Sequence, residues 1–151
     1  MATFAERILV STDFSQASYL AIDAAAVLAK SLGARVTLLH VVNTSPEFVG
    51  PVPVSPSTLE AATHAAAERT KATLEELRAS RLAGVDAEVR IVDHASPAEG
   101  ICEAAKELAS ELIIIATHGR TGLAHLLIGS VAERVVRHAP CPVLTLRSKA
   151  R

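Results

Sequence analysis

Tryptophan is absent and aromatic residues make up only 3% of the chain. A platform for single-stranded nucleic acid needs successive aromatic faces, so that function is poorly supplied. An excess of one charge is missing too: 15 Lys and Arg stand against 16 Asp and Glu, for a net charge of −1 and a pI near 6.6. That balance argues against a polyanion-binding surface. It leaves room for one small anion held by main-chain groups. Cysteine is scarce, and Cys102 and Cys141 are too few for a secreted disulfide scaffold. No apolar run approaches the roughly 20 residues of a membrane helix. The opening, with Glu6 and Arg7 before a short apolar run and then Asp13, lacks the form of a signal peptide. These absences predict a cytoplasmic protein with neither membrane nor nucleic acid as partner.

What is present is aliphatic. Half of the chain is hydrophobic and 28 of its 151 residues are alanine, so a core of branched side chains with closely packed helices is expected. The length suits one domain over residues 1–151. Apolar runs of strand length alternate with longer amphipathic segments. Ile8-Leu9-Val10 is a buried strand that stops at Ser11-Thr12-Asp13. From Ser15 to Leu32, Leu20, Ala24, Val27 and Leu28 recur at helical spacing, and Gly33 is a C-terminal stop. Arg35 to Val42 is the second strand. Asn43 to Ser57 holds four prolines and Gly50 and is expected to be irregular. A long helix follows, roughly Thr58 to Leu82. Val85 to Val92 alternates as an edge strand would. Ser96-Pro97-Ala98-Glu99 is a capping box opening a helix to about Ser110. Leu112 to Ala116 is the most apolar strand and should be central. Thr117 to Gly129 is a loop with three glycines. Ser130-Val131-Ala132-Glu133 is a second capping box, leading to about His138, and Val143 to Leu146 is the last strand. The order β-α-β-α-β-α-β-α-β predicts an α/β fold: an open five-stranded parallel sheet, order 3-2-1-4-5, with helices on both faces, Rossmann-like. In such sheets a ligand lies beyond the carboxyl ends of the strands where their order reverses, between the first and fourth.

Two polar features fall at that point. One is Asp13. It invites a plainer reading as a helix cap, a task Ser15 could share. The other is Ala116-Thr117-His118-Gly119, followed after nine residues by Gly129-Ser130. Glycines let a backbone approach a ligand closely, and the amides opening the last helix make an anion site. The glycines could also simply make turns, and Ser130 could simply cap its helix. No Gly-Lys-Ser/Thr completes a Walker loop, and the first turn has no glycine, so the dinucleotide fingerprint is missing. His118 and Arg120 could reach a phosphate or face solvent. His40 sits within a strand. The other histidines show no metal-ligand spacing. No Gly-x-Ser-x-Gly elbow is present.

Read end to end, the chain resembles the universal stress proteins of the UspA superfamily. Ile8-Leu9-Val10-Ser11-Thr12-Asp13-Phe14-Ser15 is similar to that family's first strand and turn, and Leu39-His40-Val41-Val42 to its second strand. The stretch from Ala116 to Arg147 is the most specific. The ATP-binding branch carries Gly-x2-Gly-x9-Gly-(Ser/Thr); here Gly119, Gly129 and Ser130 match, and Ala116 replaces the first glycine. The resemblance implies ATP, with Mg²⁺, as ligand. Asp13 and Ala116 would lie near the ribose and Val41 would meet adenine through its main chain. Gly119, Gly129, Ser130 and Val131 would surround the phosphates. It implies a regulatory or stress-tolerance role with an unknown protein partner rather than a dedicated enzyme. A homodimer through the C-terminal edge strand is expected, because apolar Val143 and Leu144 end the sheet with nothing later to cover them. A nucleotide-free dimeric module and a slow ATPase are the alternatives.

Overall fold

The computed structural model describes residues 4–44, 55–118 and 128–148. Nine elements follow in chain order: β1 (Arg7–Ser11), α1 (Gln16–Leu32), β2 (Arg35–Asn43), α2 (Pro56–Arg81), β3 (Ala87–His94), α3 (Pro97–Glu107), β4 (Leu112–Ala116), α4 (Ser130–His138) and β5 (Val143–Leu146). The strands form one parallel sheet in the order β3-β2-β1-β4-β5, as the alternation of patterns predicts. Side chains alternate across it. Ile8, Val10, Val36, Leu38, Leu112 and Ile114 pack on one face with α1 and the lower part of α2. Leu9, Leu39, Ile113 and Ile115 pack on the other with α3 and α4. Near-complete burial of β1 and β4 explains why their sequences are continuous apolar runs.

Local signals set the boundaries. Ser15 Oγ accepts from the Ser18 amide to open α1, and Gly33, at φ 68°, closes it. Ser96 caps α3 with Pro97 in the first turn. Four expectations need correction. The inward row of α1 is small, running through Ala21, Ile22, Ala25, Ala26 and Ala29, while Leu20 and Val27 face solvent. The larger residues marked the wrong stripe because alanine is what lets this helix approach the sheet. α2 begins at Pro56, capped by Ser55, inside the stretch expected to be irregular, because proline is favoured in a first turn. β3 lies two residues later than expected, at Ala87–His94. α3 stops at Glu107, and Ala109 turns the chain at φ 48°. α2 is tied to α1 where Arg81 pairs with Asp23 at 2.8 Å and stacks over Tyr19 at 4.7 Å.

Candidate functional site

The crevice is built by unequal strand lengths. β1 pairs with β2 no further than Ser11 opposite Leu39, and with β4 no further than Val10 opposite Ile114. β2 and β3 run on together to Asn43 opposite His94. Val41 therefore stands two residues beyond the last β1–β2 pair, and Ala116 two beyond the last β1–β4 pair. Along β2 the odd residues turn their main-chain groups toward β1: the Arg35 amide donates to the Glu6 carbonyl, and the Leu39 carbonyl accepts from the Thr12 amide. Val41 turns the same way, over the end of β1, so its amide and carbonyl face the crevice. Its side chain is locked from behind. A Cβ on Gly100 of α3 would come within 3.0 Å of both Val41 Cγ1 and His94 Cβ, so only glycine lets α3 press on this extension.

The turn after β1 is held by short hydrogen bonds. The Phe14 amide donates to Thr12 Oγ1 at 3.0 Å, and the Ser15 amide donates to Asp13 Oδ1 at 3.0 Å. Asp13 is thus not the cap of α1; Ser15 is. The half-exposed Asp13 carboxylate lies at the end of β1, bracing the turn. Phe14 adopts φ 64°, a conformation that costs a bulky residue about 1–2 kcal/mol. Its ring lies 4.5 Å from that of His40. His40 Nδ1–H donates to the Thr12 carbonyl at 2.8 Å. The strand histidine is thus satisfied, and its partner is the turn itself. No sequence signal announces this Phe14–His40 brace, because a left-handed phenylalanine has no local signature.

Across the crevice, buried Thr117 organises the base of the glycine loop. Its amide donates to the Leu146 carbonyl at 2.8 Å, and its carbonyl accepts from the Gly129 amide. Its hydroxyl lies 3.0 Å from His118 Nδ1. A Cβ on Gly129 would sit 2.7 Å from the Thr117 oxygen, so the loop's own closure demands this glycine. Gly129, not Ser130, is the N-cap of α4, and no side chain among the described residues caps that helix. The capping-box reading of Ser130 is therefore corrected. Ser130 and Val131 occupy the first turn, and the Ser130 hydroxyl is exposed. The amides of Ser130, Val131 and Ala132 open the helix with no side-chain acceptor among the described residues, the arrangement that suits an anion. Ala116 lies within β4, paired with Leu146, and is not among the residues of positive φ; alanine fits there without strain. Gly119 and Arg120 lie outside the described residues.

The structure thus brings Asp13, Val41, Ala116, Gly129, Ser130 and Val131 to one end of the sheet. Among the described residues no cluster of three His, Cys, Asp or Glu could hold a metal ion. The cysteines are not poised as nucleophiles. Burial pushes both thiols up, Cys102 further through Cys141 and Glu99, while the Ile113 amide partly offsets the rise at Cys141. No helix among the described residues is long and apolar enough to cross a membrane.

Comparison with known proteins agrees along the whole chain. The model of the universal stress protein family matches residues 5–147. A universal stress protein of Methanocaldococcus jannaschii is 35% identical over 148 residues, covering 94% of this chain and 82% of its own. The solved structure of hypothetical protein MJ0577 superposes with a TM-score of 0.83 at 26% identity, covering 99% of this chain and all of the other. A universal stress protein solved in complex with cAMP shares the fold, with a TM-score of 0.67 at 22% identity, over 96% of this chain and 98% of the other.

Proposed function

The chain belongs to the universal stress protein family, and we propose that it binds ATP, with Mg²⁺, as a regulatory ligand. One observation carries this reading: an uncapped helix N-terminus at Ser130 and an open strand edge at Val41 stand at the same end of the sheet. The triphosphate would lie over Gly119, Gly129, Ser130 and Val131, with Asp13 and Ala116 near the ribose. At Val41 an amide donor and a carbonyl acceptor match the ring acceptor and exocyclic amine of adenine, and oppose the reversed pattern of guanine. A protein of this family and fold is solved with a cyclic adenine nucleotide, which supports the class of ligand. The role in this reading is that of a sensor or stress-tolerance factor; slow hydrolysis, with Asp13 and His118 as the groups that could serve it, is the alternative.

Calorimetry of ATP against GTP tests the reading. ATP should bind at least about tenfold more tightly, a difference of about 1.4 kcal/mol, and Ser130→Ala should weaken ATP several-fold without altering the fold. Absent binding of both nucleotides overturns it and leaves the nucleotide-free module, and equal binding of both overturns the adenine pairing at Val41. Gly129→Asp does not isolate the phosphate site, because any side chain there collides with Thr117.

A homodimer through β5 is part of the same reading. β5 is an edge strand and Leu144 is 36% exposed on it, an apolar edge that invites a partner strand. Val143→Lys with Leu144→Lys should shift light scattering from dimer toward monomer. A wild-type chain that stays monomeric at high micromolar concentration would exclude this dimer.

A further inference from the structure

α2 contains two helices in one. From Leu74 onward it is anchored, with Leu74 and Leu77 buried on the sheet and Leu82 behind them. Before that, every residue from Ser55 to Arg69 is exposed. Such a stretch lacks a core to hold it, yet alanine at positions 61, 62, 65, 66 and 67 gives it strong intrinsic helicity. The buried row does not stop where the sheet does. Leu59, Thr63, Ala67 and Thr70 precede Leu74 and Leu77 at spacings of three and four residues, so they continue the same face of the helix. A hollow runs beside this face past Pro56, Leu59, Glu60, Thr63, His64 and Ala67. Glu60 and Lys71 flank it on one side, and neither joins an ion pair among the described residues.

We propose that this projecting arm of α2 is an interface that pairs, antiparallel, with the same arm of a second copy. The charges choose the occupant and its direction. Glu60 and Lys71 are equidistant from the midpoint between Ala65 and Ala66. A two-fold axis through that midpoint sets Glu60 against the partner's Lys71 and Lys71 against the partner's Glu60. A parallel pair would carry the two flanks to opposite sides of the seam and would not bring Glu60 to Lys71. Leu59 then meets the short Thr70 of the second copy, and Ala66 and Ala67 at the crossing permit close approach. The arm from Pro56 to Lys71 is about 24 Å long at 1.5 Å per residue. One helix pair of that length falls short of a standard interface of about 800 Å² per partner, so the association is weak, concentration-dependent and salt-sensitive. It uses the face of the molecule remote from β5 and rests on neither the nucleotide reading nor the β5 dimer.

Sedimentation velocity of the full chain over a concentration series tests it. Glu60→Lys and Lys71→Glu should each move one association step to at least tenfold higher concentration. The double charge swap, Glu60→Lys with Lys71→Glu, should return it to within about threefold of wild type. The β5 substitutions should leave this step in place, which separates the two interfaces. The proposal is overturned if wild type shows no step independent of β5, if single reversals change nothing, or if the swap fails to restore association. Unchanged association after single reversal would place that step on another surface of the chain.

Discussion

The two ends of the sheet use polar groups in opposite ways. At the amino ends the charges satisfy one another. Arg35 pairs with Asp86 at 2.9 Å and Arg7 with Glu111 at 3.1 Å, while the Glu111 carboxylate also accepts from the Glu6 and Arg7 amides. A hollow of about 440 Å³ lies there between Glu6, Arg7, Leu32, Gly33, Arg35 and Asp86, yet each arginine already has its carboxylate. At the carboxyl ends the polar groups include main-chain ones, the Val41 strand edge and the opening amides of α4, beside the Asp13 carboxylate and the Ser130 hydroxyl. A hollow alone therefore does not mark a site; what matters is whether its polar groups are already matched within the fold. The difference predicts a separation of effects. Substitutions at the amino ends should alter stability and leave nucleotide binding alone, and nucleotide affinity should respond only to those at the carboxyl ends.

Gly129→Ala tests the one place where the two roles merge, and its effect should be the largest. At φ −71° the Gly129 backbone itself would accept alanine. The methyl would nonetheless press on the Thr117 carbonyl oxygen at 2.7 Å. Overpacking of that kind costs about 1–3 kcal/mol, to be read from urea midpoints, and ATP binding should fall with it. A variant as stable as wild type would show that the loop base yields easily. Asp13→Ala should come next, weakening ATP about tenfold, or about 1.4 kcal/mol by calorimetry, with a smaller loss of stability from the Ser15 amide it leaves without its acceptor. A large stability loss with unchanged affinity would make Asp13 a turn residue only.

The fold was legible because it rests on strong periodic signals. Leu112–Ala116 and Val143–Leu146 are bounded as their apolar runs predict, and the reversal of order at β1 and β4 follows from the β-α-β alternation. The site was legible as a set of positions but not as a set of roles. Asp13 and Ser130 both read as caps, because the sequence cannot say which of several neighbouring hydroxyls or carboxylates reaches the amide. Ser15 and Gly129 hold those places. The need for glycine at 129 was visible, but not its cause, a carbonyl contact twelve residues back in the chain. The Phe14–His40 stack and the Gly100 contact with Val41 join residues distant in sequence through side-chain placement that no local pattern encodes.

Ala116→Gly sharpens the comparison from the carboxyl side. Because Ala116 is paired strand backbone, restoring glycine should change ATP affinity by less than about tenfold. Glycine in a strand should cost a few tenths to about 1 kcal/mol of stability. If ATP binds only after that change, the methyl blocks the ribose and the wild-type chain is a nucleotide-free member.

The smallest effect is expected at the amino ends, where it carries a pH signature. The Glu6 amide lowers the pKa of the Glu111 carboxyl, burial opposes this, and the Arg7 amide and guanidinium lower it further, for a net shift below its ordinary value of 4.5. A carboxylate whose folded pKa is depressed binds protons more readily in the unfolded chain. Its contribution is fully present above 4.5 and is lost as the pH falls through the lowered folded value. Glu111→Gln removes the charge while keeping a side-chain oxygen that can accept from the two amides. The urea midpoint of wild type should exceed that of the variant slightly at pH 7, and the gap should close below pH 4.5. Solvent screens this exposed site, so the gap should be small and should shrink in salt. ATP affinity at pH 7 should be the same in both proteins. A change in nucleotide affinity at Glu111, the whole length of the sheet away from Val41, would break the separation between the two ends.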